Sequence, residues 1–141
     1  SLGGLKIITP KDFVTIAEGA IKAHQDWVKH LDGALKGERW DLETDPTRCR
    51  FGIFLSFVPR PDEVPEKLWQ EGLALHDHLH ALGHQAHDAL SGDDLPRARR
   101  HYDEAVHVSQ RLVAALNEMI TLCRQGTSLE GTPLRALPSS R

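Results

Sequence analysis

Leu68–Leu90 reads LWQEGLALHDHLHALGHQAHDAL. Within it Leu68, Gly72, Leu75, Leu79, Leu82, Ala86 and Leu90 recur at three- and four-residue steps, a near-heptad pattern. Such spacing places one apolar stripe along an amphipathic helix. The same stretch holds His76, His78, His80, His84 and His87, five of the nine histidines in the chain. His76 and His80 are four residues apart, so at about 100° per residue they lie roughly 40° apart on one helical face. Two imidazoles at this spacing can bind one metal ion, as in helical zinc motifs. His84 and His87 continue the ridge, so His80 with His84 is an equally spaced pair. The ridge flanks the leucine stripe, and the competing reading is a solvated histidine-rich face.

The helix begins near Pro61–Pro65 and ends at Ser91-Gly92. Upstream, Thr9-Pro10-Lys11-Asp12 has the form of a helix start, with Thr9 as N-cap and Pro10 in the first position. Phe13, Ala17, Ala20, His24, Trp27, Leu31 and Leu35 then form another stripe, and Gly37 is placed to end it. Residues 38–48 are polar and carry the turn signal Asp45-Pro46. Cys49–Val58 (CRFGIFLSFV) is a short apolar run whose periodicity does not choose between helix and strand. A last helix starts near Asp94, with Ala98, Tyr102, Ala105, Ser109, Leu112, Leu116, Met119 and Cys123 on its apolar side.

These elements predict an all-α fold: a helical bundle of three long helices plus one short helical element carrying Cys49. Residues 1–9 read as an N-terminal extension, 10–125 as one domain, and 126–141 (GTSLEGTPLRALPSSR) as a linker or frayed tail. The SLGGL start lacks Met, as expected of an excised fragment, and the tail leaves a standalone module or a trimmed fragment as the two expectations. A chain of 141 residues can bury a working core without disulfides. Its net charge of -3 disfavours a nucleic-acid partner. No apolar run approaches the ~18 residues of a membrane span, and no signal-peptide pattern is visible. The two cysteines, Cys49 and Cys123, are not a disulfide framework, so a reducing, cytoplasmic compartment is expected.

His24, Cys49, His76 and His80 together make a complete tetrahedral zinc set, one thiolate and three imidazoles. Each has a plainer reading. His24 in an apolar stripe could be a satisfied core histidine. Cys49 could be a small buried hydrophobe, the role expected of Cys123. A di-iron bundle would want Glu-x-x-His pairs, and none occurs on the helices carrying these histidines.

In the order AHQDW (Ala23–Trp27), CRFG (Cys49–Gly52) and HDHLH (His76–His80), the motifs resemble the chemoreceptor zinc-binding domain family. The likeness is especially close to the zinc-sensing domain of a bacterial diguanylate cyclase and runs from about Ala17 to Cys123. It departs at Phe54, where the family often has Trp. The resemblance implies Zn²⁺ held by His24, Cys49, His76 and His80, with His78 a non-ligand. It further implies a non-enzymatic regulatory module, a homodimeric bundle coupled in cis or in trans to a signalling output such as chemotaxis or cyclic-di-GMP synthesis. Some members of the family respond to zinc and some to oxidation of the Cys. The alternatives are a zinc hydrolase with an open coordination position, or a structural dimerisation bundle whose His cluster is incidental.

Overall fold

Four helices form the molecule: α1 (Pro10–Leu35), α2 (Arg50–Phe57), α3 (Glu66–Ser91) and α4 (Leu95–Ser128). The structure is a computed structural model that describes residues 9–45, 48–57 and 59–128, and among these there is no strand. The short Cys-bearing run, open between helix and strand in the sequence, is helical. Residues 1–8 of the expected extension, Pro46 of the expected turn, Val58, and residues 129–141 of the expected tail lie outside the described residues.

The helix ends follow from local chemistry. Thr9 and Asp12 form a capping box: the Thr9 hydroxyl accepts from the Asp12 N–H at 3.1 Å, and the Asp12 carboxylate accepts from the Thr9 N–H at 3.2 Å. At the other end of α1 the Glu38 N–H reaches the Gly33 carbonyl (3.0 Å) and the Gly37 N–H reaches the Ala34 carbonyl (3.1 Å). This is a Schellman ending, and Gly37 takes its left-handed position at φ 102°. The same pattern closes α3, with bonds from Asp94 to Ala89 (2.8 Å) and from Asp93 to Leu90 (3.0 Å). There the left-handed residue is Asp93 (φ 60°), one place after the glycine that marks the stop in the sequence. Asp tolerates this conformation better than most residues do. Asp94 then caps α4 by accepting from the Arg97 N–H at 3.1 Å.

One boundary differs from the sequence reading. The domain was expected to end at Gln125, yet α4 runs to Ser128 and carries Gly126 buried within it. A lone glycine weakens a helix by about 1 kcal/mol without stopping it, and here Gly126 itself is buried.

Side-chain pairings give the topology. Phe13 of α1 meets Trp69 of α3, and His24 meets His76, so α1 and α3 run parallel. Asp32 pairs with Arg99, and Glu18 pairs with Arg124, so α4 runs antiparallel to α1. α4 packs along both α1 and α3. Phe13, Leu31, Leu79, Leu82, Leu112, Leu116 and Met119 are the largest apolar side chains wholly inside. Each such residue contributes roughly 1.5–3 kcal/mol through removal from water.

The fourth wall of this up-down bundle has two parts. α2 fills one half, where Phe51 and Leu55 line a small gap with Trp69, Gly72 and Leu73 of α3 and Leu116 and Met119 of α4. The strap from Lys36 to Asp45 covers the other half. It stacks Trp40 on His87 with ring centres 4.6 Å apart and lays Thr44 beside Gly83. The site lies at the junction of strap and α2.

Candidate metal centre

His24, Cys49, His76 and His80 converge. One ligand atom from each lies within 4.8 Å of every other, and no second group of this kind exists among the described residues. α1 supplies His24 from mid-helix, α3 supplies His76 and His80 one turn apart, and Cys49 stands just before α2. The three imidazoles are buried, at most 2% exposed. Their ring centres are 4.7 Å (His76–His80), 5.0 Å (His24–His76) and 5.6 Å (His24–His80) apart. Phe51 closes the α2 side, its ring 5.4 Å from His76 and 6.0 Å from His24.

Position separates the two histidine pairs. His84 stands at the surface beside Asp88 (3.5 Å), with 63% of its side chain exposed. His78 turns toward Glu104 of α4 at 3.4 Å, and His87 stacks on Trp40. The ridge thus divides: His76 and His80 join the core, and the other three leave it. Cys123 is wholly buried in α4, in the packing role expected of it.

Hydrogen bonds orient the rings. His24 donates from Nδ1 to the Ala20 carbonyl at 2.7 Å, and His80 donates from Nδ1 to the Glu43 carbonyl at 2.8 Å. A carbonyl only accepts, so both Nδ1 atoms carry a proton, and each Nε2 offers a lone pair to a metal once it is free of its own proton. Nε2 of His24 lies 3.6 Å from the Cys49 Sγ. Nε2 of His76 and Nε2 of His80 are buried with no hydrogen-bond partner. Leaving such an atom unpaired costs about 1–3 kcal/mol, and native proteins rarely tolerate two together.

This donor set fits a metal ion. Zinc, at about 2.1 Å from nitrogen and 2.3 Å from sulfur, requires tetrahedral N···S edges near 3.6 Å. The His24–Cys49 separation already has that length. The orphaned Nε2 atoms are the two further donors, and Nδ1 bonds to carbonyls are the usual outer support of histidine ligands.

The thiol is primed for the same chemistry. Burial works to raise the Cys49 pKa, but His24, His76, His80 and the Gly52 backbone N–H outweigh it and hold the thiol down to about 3. The Sγ of Cys49 lies 3.6 Å from Nε2 of His24, and within 4.8 Å of a ring nitrogen of His76 and of His80. Burial likewise presses His76 below the ordinary imidazole value, opposed by the Cys49 sulfur and assisted by His24 and His80. Cys123 moves the opposite way, up to about 11, through burial and the charge of Glu63.

A largely apolar cavity of about 670 Å³ opens beside the site, bounded by Ile16, Ala20, Ala23 and Phe51 and reaching Cys49. Small reagents therefore have access to the sulfur. In metal-free protein, iodoacetamide is expected to modify Cys49 and spare Cys123. The Cys49 rate should barely change between pH 8 and pH 6, because its thiolate persists at both. An ordinary thiol, with a pKa near 8.5, would slow by on the order of a hundredfold over that interval. Peptide mass spectrometry reads both rates; equal labelling of the two cysteines, or a proton-dependent Cys49 rate, would contradict this account.

Two contributors lay beyond sequence reasoning. The Glu43 carbonyl is a backbone group with no residue signature. Trp27 was legible as a stripe residue and as part of the AHQDW motif, but its bond to the Glu43 carbonyl was not. Comparison with protein-family models, with curated proteins and with solved structures finds no match to this chain.

Proposed function

We propose that the cluster is a zinc site, and that the chain is a cytoplasmic, non-enzymatic sensory module of the chemoreceptor zinc-binding kind. One observation carries this reading: three imidazoles and a low-pKa thiol from three separate elements aim at one buried point, where two Nε2 atoms have no other partner. One sulfur and three nitrogens suit Zn²⁺ better than harder or more oxygen-seeking ions. When bound, zinc supplies a positive centre that offsets the thiolate and removes the cost of the orphaned nitrogens.

The chain's own residues supply the switch. Cys49 heads α2, so its engagement ties the short helix to α1 and α3. Its release leaves α2 without that tie, while Phe51 and Leu55 still face α3 and α4. Ligation energy then becomes packing energy, and two packings with different zinc affinities form a switch. Oxidation of Cys49 would remove a ligand and act in the same direction. The switch is proposed to work within a homodimer and to bias a signalling output, in cis or in trans, such as chemotaxis or cyclic-di-GMP synthesis. No helix among the described residues is long and apolar enough to cross a membrane.

Four protein ligands close the coordination sphere, whereas catalytic zinc keeps a position for water. Asp77, beside His76, is exposed rather than turned toward the site, so it does not supply the general base a hydrolase needs. Elemental analysis should find one zinc per wild-type chain and little in Cys49→Ala or His80→Ala. Normal occupancy in both variants would sink the ligand assignment. The sensory part is tested in cells: motility bias and cyclic-di-GMP level should respond to zinc limitation in wild type and not in His80→Ala.

A further inference from the structure

We propose that Trp27 and the Glu43 carbonyl are positioning groups of this site, so that docking of the Lys36–Asp45 strap sets its metal affinity. The proposal rests on reading the cluster as a zinc site. Its starting point is a difference between two histidines. His24 is oriented by Ala20, one turn back on its own helix, so its aim is guaranteed wherever α1 forms. His80 is oriented by Glu43, 37 residues away on the strap. Its aim depends on tertiary placement of a loop.

The strap is held at that point by Trp27. The indole N–H donates to the same Glu43 carbonyl at 3.0 Å, so one oxygen accepts from both Trp27 and His80. A carbonyl has two lone pairs, and both are engaged here. The indole also packs beside the imidazole of His80, with ring centres 5.3 Å apart. It lies so close to α3 that a Cβ on Gly83 would sit 2.5 Å from its ring carbons. Gly83 is therefore the residue that lets Trp27 reach this position. Farther along the strap, Trp40 on His87 gives a second anchor.

If the strap lifts, His80 loses the acceptor for its Nδ1 proton, and nothing then fixes its tautomer or ring angle. Losing an outer partner of this kind typically weakens metal binding about 10–100-fold. Linkage makes the effect reciprocal: occupancy of the site favours the docked strap by the same factor. Lys36, Gly37, Glu38, Arg39 and Asp41 are exposed on the strap, so the state of a buried site is expressed at the surface.

The test is zinc affinity, measured by chelator competition, in wild type, Trp27→Phe, Gly83→Ala and the control Trp69→Phe. Trp69 is similarly buried but packs on Phe13 and on the α2 side of the bundle, beside Phe51 and Leu55, so it controls for loss of a buried indole that does not bond the Glu43 carbonyl. Trp27→Phe should weaken zinc about 10–100-fold. Gly83→Ala, which displaces the indole by adding volume, should do the same and decides the matter if Trp27→Phe does not fold. Trp69→Phe should leave affinity unchanged. Histidine nitrogen–proton spectra should lose the protected His80 Nδ1 proton in Trp27→Phe and keep that of His24, a change that general loosening would not produce. Wild-type affinity in Trp27→Phe and Gly83→Ala, or equal weakening in Trp69→Phe, overturns the strap proposal while leaving the zinc site standing. In zinc-bound wild type, rapid exchange of the His80 Nδ1 proton overturns it without any variant. A wild-type protein that takes up no zinc removes the site reading and this proposal together.

Discussion

Saturating zinc is expected to raise the melting temperature of the wild-type protein by on the order of 15 °C, and His80→Ala to abolish the rise. Free zinc at about a thousand times Kd stabilises the folded state by roughly 4 kcal/mol. For a domain of this size each kcal/mol is worth about 3–6 °C, interpolating between smaller and larger domains. His80 is the most heavily committed ligand: wholly buried, bonded to Glu43 through Nδ1, and without a partner at Nε2. Removing it deletes a donor and releases the strap carbonyl. The metal-free variant should not collapse, because the substitution also removes an unpaired buried nitrogen. Two opposed effects then act on the apo state, and only one acts on the metal-bound state. Melting curves with zinc and with chelator separate them; a full zinc-induced rise in His80→Ala would show that His80 is not a ligand.

Phe13→Ala should cost about 3–5 kcal/mol of folding stability, the range for emptying a buried aromatic position. Phe13 is 0% exposed, lies in the first turns of α1 and packs on Trp69 with ring centres 5.9 Å apart. A domain holds only about 5–15 kcal/mol in total, so this one residue accounts for a large share. Yet zinc affinity of the folded variant should match wild type. Phe13 is eleven residues before His24, roughly 16 Å along the helix, and effects at such separation are close to independent. Denaturant titration gives the stability and chelator competition the affinity. A loss under 1 kcal/mol, or a matching fall in affinity, would show that the core around Phe13 and the site are not separate units.

These two residues show how unequally sequence and structure contribute. Phe13, Leu31, Leu79 and Leu112 could be read directly, because a helix that buries one face must repeat apolar residues every three or four positions. Thr9, Pro10 and Gly37 marked the limits of α1 because each supplies a local need: a cap, a preset φ and a left-handed turn. Ser91-Gly92 likewise marked the end of α3, where the helix stops at Ser91 with Gly92 as its cap, although the left-handed place falls to Asp93. The helix α4 runs three residues past Gln125, because a glycine such as Gly126 stops a helix only where the packing agrees.

By itself the sequence determined an all-α bundle, its helix order and four candidate ligands of suitable chemistry. Tertiary structure alone decided that His76 and His80, not His84, face His24 and Cys49, since the ridge borders the apolar stripe and neighbouring helices select which of its members are enclosed. It alone brought Cys49 to that point, through the path of the strap and the seat of α2. And it alone supplied the Glu43 carbonyl, a group every residue possesses, which gains meaning only where the chain passes His80 and Trp27.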